Sequence, residues 1–310
     1  MKTPKFWSSK NFLSLTLYPL SLIYYFFYKV RIAINRRPYR SKIPVICVGN
    51  LIAGGSGKTP VCIEIAKFLK AKNKTFCFLS KGYNGKFSGV VEAAGKKAEA
   101  VGDEPLILSN YGPTFVAKSR VNGLKYINNN FDYDYIIIDD GMQNPTFVKN
   151  KIILVIDGIF GFGNGFILPA GALRDKIKNV YKTIDFVVII NATSKVIKIL
   201  EEYKIKFTTA KIVASNNIDK DAEYIAFCGL GNPEKFKKTL VEEDVKLKKF
   251  LAFGDHYCYS EKNMKELYGF GYRLITTEKD WVRLNDRDRA AISFLAISLV
   301  LDKNLLEDIL

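Results

Sequence analysis

Apolar positions along the chain fall into three regimes. Residues 11–28 run without a charge. From 43 to about 213, short apolar runs alternate with polar, helix-patterned or loop segments. The runs at 44–48, 75–80, 114–117, 134–139, 151–156 and 185–190 have the length and the flanks of buried strands. Between the first two, Ile63, Ala66, Phe68 and Leu69 recur at the spacing of one helix face. This βαβα order predicts an α/β fold with a parallel sheet. Asn216-Asn217-Ile218-Asp219-Lys220-Asp221 is a polar break. Beyond it, 224–228 reads as a strand, 229–233 as a turn and Glu234 as the start of a helix. The expected units are therefore an N-terminal segment at 1–42, a core domain at 43–215 and a smaller α/β domain at 222–310.

The uncharged N-terminal run would span about 27 Å as a helix, just short of the roughly 30 Å hydrocarbon core of a bilayer. Trp7, Tyr18, Tyr24, Tyr25 and Tyr28 suit the headgroup boundary. Lys29, Arg31, Arg36, Arg37 and Arg40 follow at once and suit anionic lipid. No small-residue cleavage site follows, and Pro19 argues against a smooth span. A helix embedded in one leaflet is the preferred reading; a true span and a helix packed on the soluble core are the alternatives. Net charge changes the picture here. The chain carries +16, and residues 1–42 hold nine Lys/Arg and no acid. That excess sits beside the most apolar stretch, which favours a membrane partner over nucleic acid. The five cysteines are scattered without a C-x-x-C pair, so neither a zinc site nor a disulfide framework is indicated. Cys47, Cys62 and Cys77 lie in apolar segments and read as core residues.

The first core strand runs through Asn50-Leu51-Ile52-Ala53 into Gly54-Gly55-Ser56-Gly57-Lys58-Thr59, and a helix follows. Strand, glycine turn, Lys-Thr and helix make a phosphate cradle, with backbone N–H groups and a helix N-terminus facing the anion. Lys58 would reach the β/γ-phosphates, and the Thr59 hydroxyl would ligate Mg²⁺. The usual pattern has a glycine at position 52, where Ile52 stands.

Other stretches carry candidate chemistry. The apolar strand at 135–138 ends in Asp139-Asp140, where a nucleotide-binding protein places the acid that holds or positions Mg²⁺. Gly102-Asp103-Glu104-Pro105 precedes an apolar helix; it also reads simply as a helix start, with Asp103 as N-cap and Pro105 near N1. His256 is the only histidine in the chain and lies in a turn. Arg174-Asp175 ends a Pro/Gly-containing loop and offers a phosphate-matching guanidinium. Ser80-Lys81-Gly82-Tyr83 follows a strand and would set Lys81 and Tyr83 beside a ligand. Thr276-Thr277-Glu278-Lys279-Asp280 ends another apolar segment.

Taken together these stretches resemble the tetraacyldisaccharide 4′-kinase family, the lipid A 4′-kinases. The likeness runs from the N-terminal segment to about residue 285. Besides the glycine loop it includes Ser-x-Gly-Tyr at 80–83, Gly-Asp-Glu-Pro at 102–105 and Asp-Asp-Gly-x-Gln at 139–143. It continues with Gly-Asn-Gly at 163–165, Pro-Ala-Gly-x-Leu-Arg at 169–174, Gly-Asn-Pro at 231–233, Asp-His at 255–256 and Thr-Glu-Lys-Asp at 277–280. The resemblance implies a P-loop NTPase-like core, an N-terminal membrane-associated helix and a second α/β domain. It implies ATP- and Mg²⁺-dependent phosphorylation of the 4′-hydroxyl of an acylated glucosamine disaccharide 1-phosphate, at the cytoplasmic face of the inner membrane. Its acid–base pair falls on Asp103 and His256. Its nucleotide and metal groups fall on Gly54, Gly55, Ser56, Gly57, Lys58, Thr59, Asp139 and Asp140, and its substrate groups on Lys81, Tyr83, Arg174 and Asp175. Lys81 replaces the family's usual Arg, Asn144 a His, Ala172 a Pro, Asp175 a Glu and Tyr257 a second His. The rival function is a membrane-recruited P-loop ATPase switch of the MinD/ParA type, whose signature lysine would fall at Ala53. A non-enzymatic nucleotide sensor would leave the clustered acids and Arg174 without a task.

Overall fold

The protein is described from a computed structural model, which covers residues 4–35, 37–301 and 307. Arg36, one of the expected lipid-facing cations, and most of the tail beyond 301 lie outside the described residues.

The strands are β1 (Val45–Gly49), β2 (Phe76–Ser80), β3 (Val90–Glu92), β4 (Thr114–Ala117), β5 (Tyr135–Asp139), β6 (Lys151–Asp157), β7 (Phe186–Ile190), β8 (Phe207–Ala214), β9 (Glu223–Cys228), β10 (Lys246–Ala252), β11 (Arg273–Thr277), β12 (Ser293–Leu295) and β13 (Ile297–Leu301). They form a nine-stranded sheet of order β13-β8-β7-β6-β1-β5-β2-β4-β3 and a four-stranded sheet of order β10-β9-β11-β12. All pairs in the small sheet are parallel. In the large sheet only the two edge pairs, β3/β4 and β8/β13, are antiparallel. The six strands expected in the core domain all form, within a residue or so of the expected ends.

Parallel strands covered on both faces must be apolar throughout, and β1 shows why. Its residues are all buried, with Ile46 and Val48 on one face and Val45 and Cys47 on the other. The helix Lys58–Ala71 covers the first face through Val61, Cys62, Ile65, Ala66 and Leu69. Emptying such a site, as in Ile46→Ala, costs about 2–5 kcal/mol. The chain builds outward from β1 through β2 and β4 on one side, then returns through β5 and continues through β6 and β7 on the other. The crevice beyond the C-terminal ends of β1 and β5 is the topological switch point, where open α/β sheets bind ligands.

At the N-terminus the uncharged run is not one helix. A short helix Phe12–Thr16, closed by a reciprocal Asn11/Ser14 capping box, stops at Leu17. A second helix, Tyr18–Ile34, starts with Pro19 in its first turn, where a proline needs no N–H partner. It carries Lys29 and Arg31 in its second half, and no helix among the described residues is long and apolar enough to cross a membrane. One edge of it docks on the large sheet's loops. The buried Ser21 hydroxyl donates to the Ile167 carbonyl at 2.8 Å and accepts from the Ala170 N–H at 3.1 Å. Its other face leaves Leu22, Ile23, Phe26 and Phe27 exposed.

The last strand was not anticipated. β13 leaves the small sheet's neighbourhood and pairs antiparallel with β8, so residues 297–301 of the expected C-terminal unit complete the large sheet. Ion pairs also join the two sheets: Lys235, in the helix Pro233–Glu242, meets the buried Asp157 at the end of β6, and Lys279 meets Glu104 at 2.6 Å.

Candidate active site

The glycine turn folds as its sequence requires, with one adjustment. Gly57 caps the helix Lys58–Ala71 at φ +87°, in the left-handed region, and a Cβ there would collide with Ile190. A Cβ on Gly55 would meet nothing within 4 Å, so that side of the turn is open to a ligand. Ile52 is not part of the turn. It is buried in an antiparallel bridge with Leu173, while Ala53 N–H donates to the Ala172 carbonyl and Arg174 N–H to that of Leu51. The position therefore needs a side chain that packs, and the same bridge carries Arg174 to the glycine turn.

Three buried polar atoms at this end of β1 and β5 have no protein partner: Asn50 Oδ1, Ser56 Oγ and Asp139 Oδ1. Thr59 Oγ1 donates to the other carboxylate oxygen, Asp139 Oδ2, at 3.2 Å. Burial pushes the Asp139 carboxyl up to about 6, against the pull of Lys58 and with the push of Asp140. A buried carboxylate with a free oxygen beside a Thr hydroxyl is the donor set a divalent cation would satisfy, so Thr59 and Asp139 fit Mg²⁺. Among the described residues no group of three or more His, Cys, Asp or Glu makes a metal site by itself. Phosphate oxygens of a bound nucleotide are the usual remaining ligands in such a seat. Asp140 faces cations instead. Its Oδ1 lies 3.8 Å from Lys58 Nζ and 3.1 Å from Arg174 Nη1. Burial raises its carboxyl, but Lys58 and Arg174 outweigh that and hold it below the ordinary value. Arg120, which the sequence did not single out, is buried behind the pair and donates to the Asp139 carbonyl at 2.9 Å.

Asp103 and His256 are 153 positions apart and meet at 2.7 Å, Asp103 Oδ2 to His256 Nδ1. Asp103 is not an N-cap. Gly102 holds that position at φ +89°, where a Cβ would press on the Tyr83 carbonyl, and Asp103 begins the helix Asp103–Ser109 with its side chain free to reach across. His256 sits at φ +55° in the turn after β10, with its N–H donating to the Gly229 carbonyl at 3.0 Å. Burial would raise the Asp103 carboxyl, but hydrogen bonds from His256 and Arg283 hold it down at about 2. The bond to Asp103 lifts the imidazole above its usual range, against burial.

The remaining site residues take different places. Tyr83 is exposed, and its ring lies 5.7 Å from that of His256. Lys118 secures this turn by donating to the Gly82 and Gly85 carbonyls at 3.0 and 2.8 Å. Lys81 is exposed next to it. Asp175 does not point with Arg174. It is buried, its Oδ1 accepts from Lys176 N–H and Asn179 Nδ2 at 2.7 Å each, and it bonds to Tyr28 on the N-terminal helix. Lys279 ties the two halves of the site. Glu104 chiefly, then Asp103 and Asp139, hold its ammonium above the ordinary value against burial. The charge of Lys279 is thus felt at both Asp103 and Asp139, so the Thr59–Asp139 pair and the Asp103–His256 pair are electrostatic neighbours.

Three comparisons bear on these features. The family described as Tetraacyldisaccharide-1-P 4′-kinase matches residues 13–310. The Tetraacyldisaccharide 4′-kinase of Rickettsia akari is 39% identical over 289 residues, 91% of this chain and 88% of the relative. That of Rickettsia canadensis is 40% identical over 291 residues, with the same coverage. Among solved structures, LpxK from Aquifex aeolicus, crystallised in complex with ATP, superposes with a TM-score of 0.78 at 26% identity, covering 96% of this chain and 99% of that one.

Proposed function

Because the chain belongs to the tetraacyldisaccharide 4′-kinase family, we propose that it transfers the γ-phosphate of ATP to the 4′-hydroxyl of a tetraacylated glucosamine disaccharide 1-phosphate. The observation that carries a kinase rather than an ATPase switch is the Asp103–His256 pair. A switch needs only a water at the phosphate; a kinase gains from a base for an incoming hydroxyl, and this pair is brought from two separate sheets to one cleft. Ala53 also stands where the MinD/ParA type has its lysine.

The roles follow from the geometry. The turn 54–57 and Lys58 cradle the phosphates, and Ser56 Oγ, buried and without a protein partner, offers a further hydrogen bond. Thr59 and Asp139 would hold Mg²⁺, which would supply positive charge to offset that of the phosphates. Lys58 and Arg174, both paired to Asp140, are the cations that meet charge developing on the transferred group. The Asp103–His256 pair accepts the proton of the 4′-hydroxyl. Hydrogen bonds from His256 and Arg283 hold the Asp103 carboxyl down at about 2, so it is ionised at neutral pH. Tyr83, Lys81 and Arg174 take the acceptor side, and Asp175 holds the loop that presents Arg174. Closure of the cleft keeps water from the phosphoryl group. The exposed apolar face of the helix Tyr18–Ile34 lies in the cytoplasmic leaflet of the inner membrane, bringing the site to an acylated substrate.

The test is transfer of labelled γ-phosphate by the full chain to tetraacyldisaccharide 1-phosphate in mixed micelles, beside ATP hydrolysis without acceptor. Phospholipid product in excess of free phosphate is expected. Hydrolysis at the same rate with and without acceptor, and no labelled lipid, would leave the switch as the better reading.

A further inference from the structure

Arg283 follows the helix Glu278–Trp281 and belongs to none of the stretches that carry the family likeness. Yet its side chain is almost fully buried between Asp103 and Asp280. Its Nη2 donates to Asp103 Oδ2 and lies 3.3 Å from His256 Nδ1. Its Nη1 donates to Asp280 Oδ1 at 2.9 Å and to the Gly229 carbonyl at 3.3 Å. Asp280 is wholly buried and is fixed in turn. It accepts from Gly229 N–H at 2.8 Å, from the Tyr259 hydroxyl at 2.8 Å and from the Thr277 hydroxyl at 2.6 Å. Gly229 also accepts the His256 N–H, so the guanidinium, the imidazole and the turn that bears the imidazole share one anchor.

We propose that Arg283 is a positioning residue for the transfer: anchored by Asp280, its planar fork bridges Asp103 to the His256 turn and sets the acid–imidazole geometry that receives the acceptor proton. This rests on the reading of Asp103 and His256 given above. The fork matters because an ammonium offers a point charge and cannot hold two carboxylates and a carbonyl in one plane. The bridge also crosses between the sheets, so it assembles the pair before substrate arrives. The other charged or titratable groups facing the trio are Glu104, Lys279, Tyr259, and Asp255, whose Oδ1 lies 3.9 Å from His256 Nε2.

His256 is the only histidine of the chain, so its imidazole signal is assigned without ambiguity. The experiment measures kcat and both KM values for the full chain in micelles, the melting temperature, and the NMR titration of that ring, in wild type, R283Q, R283K, D103N and H256Q. For R283Q the expected kcat loss is on the order of 10²-fold, as for a small misplacement of a reacting group. KM values should stay within a few-fold, and the imidazole should titrate at higher pH because a neighbouring cation is gone. R283K keeps the charge without the fork. Its ring should titrate as in wild type while kcat falls about tenfold, and this variant carries the test if R283Q does not fold. Wild-type kcat in R283K, or a loss in R283Q that follows melting and leaves the titration unmoved, overturns the inference. If D103N and H256Q lose kcat while the Arg283 variants do not, the inference alone fails. If D103N and H256Q keep kcat, the reading of the pair fails and takes the inference with it.

Discussion

At the scale of single residues, the glycine turn before Lys58 is the feature most open to reading from the sequence, because its signal is local. Glycines, Lys58 and Thr59 stand at fixed spacing between a strand and a helix. Lys58→Ala should lower kcat on the order of 10²–10³-fold, the loss typical of one donor aimed at developing charge, with melting preserved. Labelled-phosphate transfer beside a thermal melt checks this, and near-normal transfer would remove Lys58 from the chemistry. Arg283 shows the opposite case. Its anchor Asp280 is three positions away, but Asp103 and His256 lie 180 and 27 positions away, and only the fold brings those together with it. Asp175 shows a third. Its neighbour Arg174 suggests a shared role, but the backbone turn sends the two side chains to opposite tasks. The imidazole also has a measurable linkage. Asp103 raises the folded-state pKa of His256 above its ordinary 6.5. The stability this contributes is fully present below about pH 6.5 and is lost as pH rises through the folded value. The melting-temperature gap between wild type and H256Q should therefore be widest near pH 5–6 and shrink toward pH 9. A gap that does not vary with pH would mean the ring gains nothing from Asp103.

At the scale of elements, what is legible depends on whether an element is buried on both faces. The central strands are, and their apolar runs locate them. β10 is an edge strand whose Lys246, Lys248 and Lys249 obscure any apolar pattern and also discourage pairing with other chains. β8 packs small residues, Thr208 and Ala210, toward the core, which gives too weak a signal. The N-terminal run is legible as apolar but not as two helices with a docked edge. Its two faces separate in a test. Phe26 and Phe27 are each 64% exposed, so Phe26→Asp with Phe27→Asp should abolish co-sedimentation with anionic vesicles and change stability by no more than about 0.5 kcal/mol per site. Ser21→Ala should do the reverse. It leaves the Ala170 N–H without its acceptor, at a cost of about 1–3 kcal/mol, and vesicle binding should persist. Full sedimentation of the double Asp variant would place the membrane contact elsewhere.

At the scale of the whole molecule, the Thr59–Asp139 pair belongs to the large sheet and the imidazole to the small one. The glycine turn, Asp139 and Asp103 come from the first; His256, Lys279 and Arg283 come from the second. The two are joined by ion pairs across the cleft and by β13, which ties residues 297–301 back to the large sheet. If the Asp103–His256 pair is the proton acceptor proposed above, a pair split in this way works only when both halves are in register, so removing either member should abolish most of what the pair provides. Asp103→Ala and His256→Ala should each lower kcat more than they change substrate binding, and their combination should cost little beyond the larger single loss. If each single loss is on the order of 10²-fold, the double should lie near 10²-fold rather than 10⁴-fold, a coupling of up to about 3 kcal/mol. Melting temperatures separate this from damage to the fold. Asp103 is not the helix cap, so its loss should act through the cleft rather than through the helix Asp103–Ser109. Additive rate losses would mean that Asp103 and His256, though 2.7 Å apart, act on the reaction independently.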